Sequence, residues 1–236
     1  MHKDTAAGSA APLKPALAVM ARAPEPGKVK TRLCPPLAPR QAAEFYECVL
    51  RDVLDDLVPS ERWDTWVAYA ERSRDYFQRL PEHRVALLPQ RGGSLGARMH
   101  AVFVDLCHTG YRQVVLVGSD IPGLSTASVG QAFDALEGDR NDLVLGPADD
   151  GGYYLIGLGR PREGLFGGIA WSTASVLEQT LARARELELR VGTVAGTYDV
   201  DVADDVERLR RDLEASRGLR VSRPRTYAWM RRRLHR

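Results

Sequence analysis

Several short segments of this chain hold ionisable residues at spacings that suit chemistry. Arg22, Lys28, Lys30 and Arg32 crowd around Gly27 with a single acid, Glu25, among them. Cations beside a glycine that lets the backbone turn close to a ligand make a phosphate cradle. It is not a Walker A loop, because Gly-x4-Gly-Lys-Ser/Thr does not occur. The bland reading is a basic surface loop. Asp120 ends the apolar run Val114-Val115-Leu116-Val117 through Gly118 and Ser119. A carboxylate at the end of a buried strand is poorly solvated unless something neutralises it. A divalent cation such as Mg²⁺, bridging to phosphate oxygens, is one answer, and a turn or helix-cap aspartate is the other. Asp199 and Asp201, two apart, point the same way in an extended segment and repel unless a cation lies between them. Asp204 and Asp205 read instead as first-turn residues of a helix.

Two further loops are rich in glycine. Asp149, Asp150, Gly151, Gly152 and Tyr153 follow one another directly. Acceptors beside small residues suit a sugar or another polyhydroxylated ligand, although a tight hairpin turn uses the same residues. Residues 90–98 run from Gln90 through Gly92, Ser94 and Gly96 to Arg98. Gly92-x-Ser94-x-Gly96 imitates a nucleophile elbow, yet no histidine is placed downstream to act as base, so a serine hydrolase is disfavoured. The same glycines can admit a flat base or ribose. Gly157-x-Gly159 carries Arg162 where a dinucleotide fingerprint needs glycine, which removes a Rossmann cofactor site.

The elements that must hold these loops alternate. Residues 16–21, 66–70, 84–88, 114–117, 143–145, 153–158 and 191–194 read as strands. Helical spacing marks residues 40–58, 95–106, 126–136, 172–188 and 202–213, with a short helix near Asp75. Strands separated by helices imply one α/β domain, a mostly parallel sheet covered on both faces. Ligands of such sheets sit at the carboxyl ends of the strands, where these loops lie.

The chain has 236 residues, 44% apolar and 27% charged, which is ordinary for a globular protein. No apolar run suffices to span a membrane. The first fifteen residues lack a signal-peptide core, and Cys34, Cys48 and Cys107 form no metal or disulfide pattern, so a cytoplasmic location is expected. Residues 217–236 hold eight arginines and no acid, so the overall charge of +2 leaves −6 on the rest, which disfavours nucleic acid as a partner. Residues 1–14 read as disordered, 15–216 as the domain, and 217–236 as a basic tail whose Tyr227, Trp229, Met230 and Leu234 suit docking.

Taken in order, residues 21–33, Gly118-Ser119-Asp120, residues 146–157, the FGGIAWST segment at 166–173 and Asp199-Val200-Asp201 resemble the DUF2064 proteins over about residues 15–213. That resemblance implies a GT-A-like, nucleotide-diphospho-sugar transferase domain, with members tied to arsenosugar biosynthesis. The chain is similar more distantly to 2-phospholactate guanylyltransferase-like nucleotidyltransferases, but their glycine-rich opening loop is here the Pro/Lys/Arg loop. Gly118 also stands where the Asp-x-Asp of GT-A enzymes has its first acid. The implied activity is metal-dependent glycosyl transfer from a nucleotide sugar to a small-molecule acceptor. The alternative is nucleotidyl transfer from an NTP to a phosphorylated or carboxylated acceptor, with pyrophosphate release. A third reading is a nucleotide-binding regulator without turnover. On the first reading Asp120, Asp199 and Asp201 hold Mg²⁺ or Mn²⁺. Arg22, Gly27, Lys28, Lys30 and Arg32 meet phosphates, while Gln90, Gly96 and Arg98 line the nucleoside side. Gly151, Gly152, Tyr153, Trp171 and Ser172 face sugar or acceptor, with Asp149 or Asp150 as base. Homo-oligomerisation is left open.

Overall fold

The structure, a computed structural model, describes residues 14–80 and 85–234. The expected disorder of residues 1–14 therefore falls outside it except for Lys14, as does Arg84 of the third expected strand. Seven strands, β1 (Ala16–Ala21), β2 (Asp64–Tyr69), β3 (Ala86–Pro89), β4 (Val114–Gly118), β5 (Leu143–Pro147), β6 (Tyr153–Leu158) and β7 (Val191–Thr193), form one sheet. Its order is β3-β2-β1-β4-β6-β5-β7. Only β6 runs antiparallel to its neighbours. This is the mostly parallel α/β sheet expected.

Side-chain alternation divides the core. Leu17, Val19 and Ala21 of β1 enter one apolar layer, and Ala16 and Ala18 enter the other. Helices α1 (Pro39–Leu57), α4 (Thr126–Leu136) and α6 (Ala203–Ala215) cover the first layer. The second lies under α3 (Leu95–His108) and α5 (Val176–Glu186), while α2 (Arg74–Gln78) sits beside β2 and β3. Local chemistry sets the helix starts. Pro39 opens α1, where the Ala38 N–H donates to Gln41 Oε1 at 2.8 Å. Ser94 Oγ accepts from Ala97 N at 3.2 Å, so the serine of the elbow lookalike is the N-cap of α3.

One expected helix begins late. Residues 172–175 form a turn rather than the start of α5, with Ser172 at φ 66°. Thr173 Oγ1 donates to Ala170 O at 2.7 Å and lies 2.8 Å from Ser175 Oγ; such side-chain bonds compete with the helix ladder. The basic segment at the other end is helical: α7 (Arg217–Ser222) and α8 (Pro224–Leu234). Trp229 and Met230 of α8 are buried, with the Trp229 ring 5.3 Å from Phe45 of α1. No helix among the described residues is long and apolar enough to cross a membrane.

Candidate active site

The loops leaving β1, β4 and β5, the segment before α5 and the segment before α6 enclose a cleft of about 860 Å³ at the carboxyl ends of the parallel strands. Of the residues expected there, Arg22, Lys28, Lys30, Arg32, Gln90, Arg98, Asp120, Asp150, Gly152, Tyr153, Trp171, Ser172, Asp199 and Asp201 line it. Asp149, Gly27, Gly96 and Gly151 do not. Asp149 Oδ2 instead accepts from Arg208 Nη1 at 2.6 Å, and that guanidinium lies over the Tyr198 ring at 3.7 Å. Gly96 and Gly151 act through packing. A Cβ on Gly96 would stand 2.5 Å from Trp171 Cζ2, so the flat group pressed against this glycine is the protein's own indole. A Cβ on Gly151, at φ 85°, would meet Ala174 O at 2.1 Å, which fixes the loop between β5 and β6 against the turn before α5.

The cations of the basic loop divide into two groups. Lys30 Nζ donates to Asp120 Oδ2 at 2.6 Å and to Asp201 Oδ1 at 2.7 Å, with only 5% of its side chain exposed. Arg32 Nη1 reaches Asp201 Oδ2 at 3.1 Å, and Lys28 pairs with Glu25. Arg22 and Arg98 form no ion pair among the described residues; they donate to the Lys28 and Gly92 carbonyls at 3.4 and 3.1 Å. Burial alone would lower the Lys30 pKa, but the Asp120 and Asp201 carboxylates outweigh it and hold the ammonium above its usual value. Burial likewise opposes ionisation of Asp120, yet the Lys30 charge brings its pKa below the usual carboxylate range. At Asp199 the same Lys30 charge is outweighed. Burial, then the negative charges of Asp201, Asp150 and Asp120, push it up to about 6.

One positioning residue is a tyrosine that periodicity alone assigns to the core. Tyr46 sits on the buried face of α1, and its hydroxyl lies 2.8 Å from Ser119 Oγ and accepts from Arg22 N at 3.3 Å. One phenol thus ties the loops after β1 and β4 together. Asp205 Oδ2 accepts from the Asp201 and Val202 amides, both at 2.9 Å, and shapes the turn that presents Asp201. Asp150 Oδ1 accepts from Gly152 N at 2.9 Å. Gln90 Nε2 donates to Ala68 O at 2.7 Å, joining the β3 end to β2. Arg223, absent from the expected site, donates from Nε to Pro122 O at 2.8 Å and from Nη2 to Leu124 O, anchoring the loop that carries Asp120.

These carboxylates do not fit a divalent ion as they stand. The Lys30 ammonium already occupies the bridging position between Asp120 and Asp201. Among the described residues, no three acid, imidazole or thiolate groups are grouped to hold one ion.

Comparison with known proteins places this architecture. A protein from Desulfovibrio desulfuricans G20, provisionally named a nucleotide-diphospho-sugar transferase, is 32% identical. The match covers 94% of this chain and 96% of that one with a TM-score of 0.86. A cytidylyltransferase from Leptospira borgpetersenii serovar Hardjo-bovis shares the fold at 12% identity, 94% and 96% coverage and a TM-score of 0.57. The 4-diphosphocytidyl-2C-methyl-D-erythritol synthase of Anaerococcus prevotii DSM 20548 does so at 12% identity, 85% and 96% coverage and the same TM-score, 0.57. No curated protein matches the chain. The fold is that of nucleotide-sugar transferases. A family model described as uncharacterized protein conserved in bacteria matches residues 53–173, half of the chain, so the protein belongs to the DUF2064 family.

Proposed function

We propose that the protein transfers a sugar from a nucleotide-diphospho-sugar to a small-molecule acceptor. The observation that carries this reading is the division of labour within one cleft. Arg22 and Arg98 form no ion pair among the described residues, and both line it. Asp150, Tyr153 and Trp171 line it too, with acceptor and aromatic surfaces suited to a sugar. A donor diphosphate would be held by the two guanidiniums, whose planar N–H pairs match phosphate oxygens. The name and 32% identity of the Desulfovibrio protein support the same class.

In an inverting transfer, the acceptor oxygen bonds to the anomeric carbon as the carbon–oxygen bond to the diphosphate breaks. The bonding pair leaves with the nucleoside diphosphate, where Arg22 and Arg98 stabilise the developing charge. The acceptor's hydroxyl proton passes to Asp150, whose carboxylate is oriented by the Gly152 amide.

A screen of NTPs and nucleotide sugars against small acceptors, with and without Mn²⁺, tests this. Nucleoside diphosphate release from a nucleotide sugar is expected. Pyrophosphate release from an NTP would establish the nucleotidyltransferase instead, and tight binding without turnover would leave only a nucleotide sensor.

A further inference from the structure

Lys30 combines features that a simple phosphate-binding lysine does not need. It is nearly sealed from solvent, and its backbone is left-handed at φ 47° without being glycine, a conformation that L side chains rarely adopt. Two of its three N–H groups are spent on Asp120 and Asp201, residues 90 and 171 positions away in sequence. The chain thus delivers a permanent positive charge to the point between two carboxylates that a divalent cation would bridge.

We infer that the Lys30 ammonium is the resident counter-cation of this site, and that Mn²⁺ or Mg²⁺ can bind the Asp120–Asp201 pair only by displacing it. The argument is competition for the same oxygens. An ammonium held at 2.6 and 2.7 Å by two carboxylates, away from water, is a strong charge-assisted pair. With Arg32 also on Asp201, one positive charge stands against each of these two acids. An incoming metal gains little until the lysine leaves, so its affinity is weak. The inference takes its meaning from the transferase reading, but it is read from metal binding without substrate, so either can fail alone.

The experiment uses the full chain, stripped with chelator and titrated with Mn²⁺ alone, following the electron paramagnetic resonance signal of the free ion. Lys30→Met should bind Mn²⁺ at least tenfold more tightly than the wild type, and adding Asp120→Asn to it should abolish that gain. A Lys30→Met protein that binds Mn²⁺ no better than wild type overturns the inference. Lys30→Gln serves the same comparison if the methionine variant fails to fold. The wild type gives an independent readout through reductive methylation located by mass spectrometry. Lys30 should label slowly in chelator and at least fivefold faster in saturating Mn²⁺. Labelling unchanged while Mn²⁺ is bound overturns the displacement. Metal exchange at Lys30 in a protein without sugar transfer would sink the proposed reaction and leave the inference standing.

Discussion

Asp120 and Asp199 are chemically identical, line one cleft, and should respond oppositely to the same substitution. Asp199 is half-buried among Asp201, Asp150 and Asp120, and its pKa of about 6 lies above the ordinary carboxylate value near 3.9. The folded chain therefore holds this proton more tightly than the unfolded one. The stability it contributes is full below about pH 4 and falls as pH rises through 6. Asp199→Asn should stabilise the chelator-treated protein by about 1 kcal/mol at pH 7.5, after discounting for solvent screening, and by nothing at pH 4. Urea denaturation at the two pH values checks it, and an equal gain at both would refute the repulsion. Asp120, by contrast, is held below its usual pKa by Lys30, so its contribution is present at neutral pH and lost as pH falls through the carboxylate range. Asp120→Asn leaves a buried ammonium with one partner fewer and should cost about 2 kcal/mol at pH 7.5. A stabilised Asp120→Asn protein would show that the Lys30 pairing is weaker than its geometry.

At the scale of elements, what could be read from the sequence is what local pattern determines. The apolar run Ala16–Ala21, the strand Tyr153–Leu158 and the helix Thr126–Leu136 fall where alternation and helical spacing put them. The helix before residue 176 does not, because Ser and Thr side chains there satisfy the backbone in a turn. Most residues lining the candidate cleft were legible because strand-end loops of an open sheet must converge. Their partners were not. Lys30 between two aspartates, Asp149 on Arg208, and Tyr46 on Ser119 are all contacts between distant segments. Gly96 shows the same limit: its role follows from where α3 begins relative to the turn before α5. Gly96→Ala adds helix propensity, but the new methyl would stand 2.5 Å from the Trp171 ring and must move it. Stability should fall by about 1–3 kcal/mol despite the better helix former. The Trp171 resonance should shift in fluorotryptophan NMR while those of Trp63, Trp66 and Trp229 stay put. A variant as stable as the parent, with Trp171 unshifted, would mean the indole does not rest on this glycine.

For the molecule as a whole, the C-terminal helices close the fold around the candidate site. Arg223, 1% exposed, joins the loop after β4 at Pro122 and Leu124 to Asp56 near the end of α1. Asp52 of α1 is fully buried and accepts from Thr226 N and Thr226 Oγ1 at 2.8 and 2.7 Å and from Arg225 N at 3.1 Å. Ending the chain after Ser216 therefore removes more than a basic segment. It uncovers the apolar surface under Trp229 and Met230, worth roughly 1.5–3 kcal/mol for each side chain. It also leaves the Asp52 carboxylate without these donors, a loss costing about 3–5 kcal/mol for a buried ionic partner. Against a total stability of about 5–15 kcal/mol, this should leave the truncated chain largely unfolded at 37 °C. Arg223→Ala separates anchoring from folding. It should cost about 2–3 kcal/mol, and in the folded fraction it should weaken nucleotide-sugar affinity, because the loop presenting Asp120 loses its tether. Urea denaturation and donor titration measure the two effects. If the truncated chain melts within about 2 °C of the full one, a shift worth about 0.5–1 kcal/mol, then α7 and α8 are dispensable and residues 15–216 suffice.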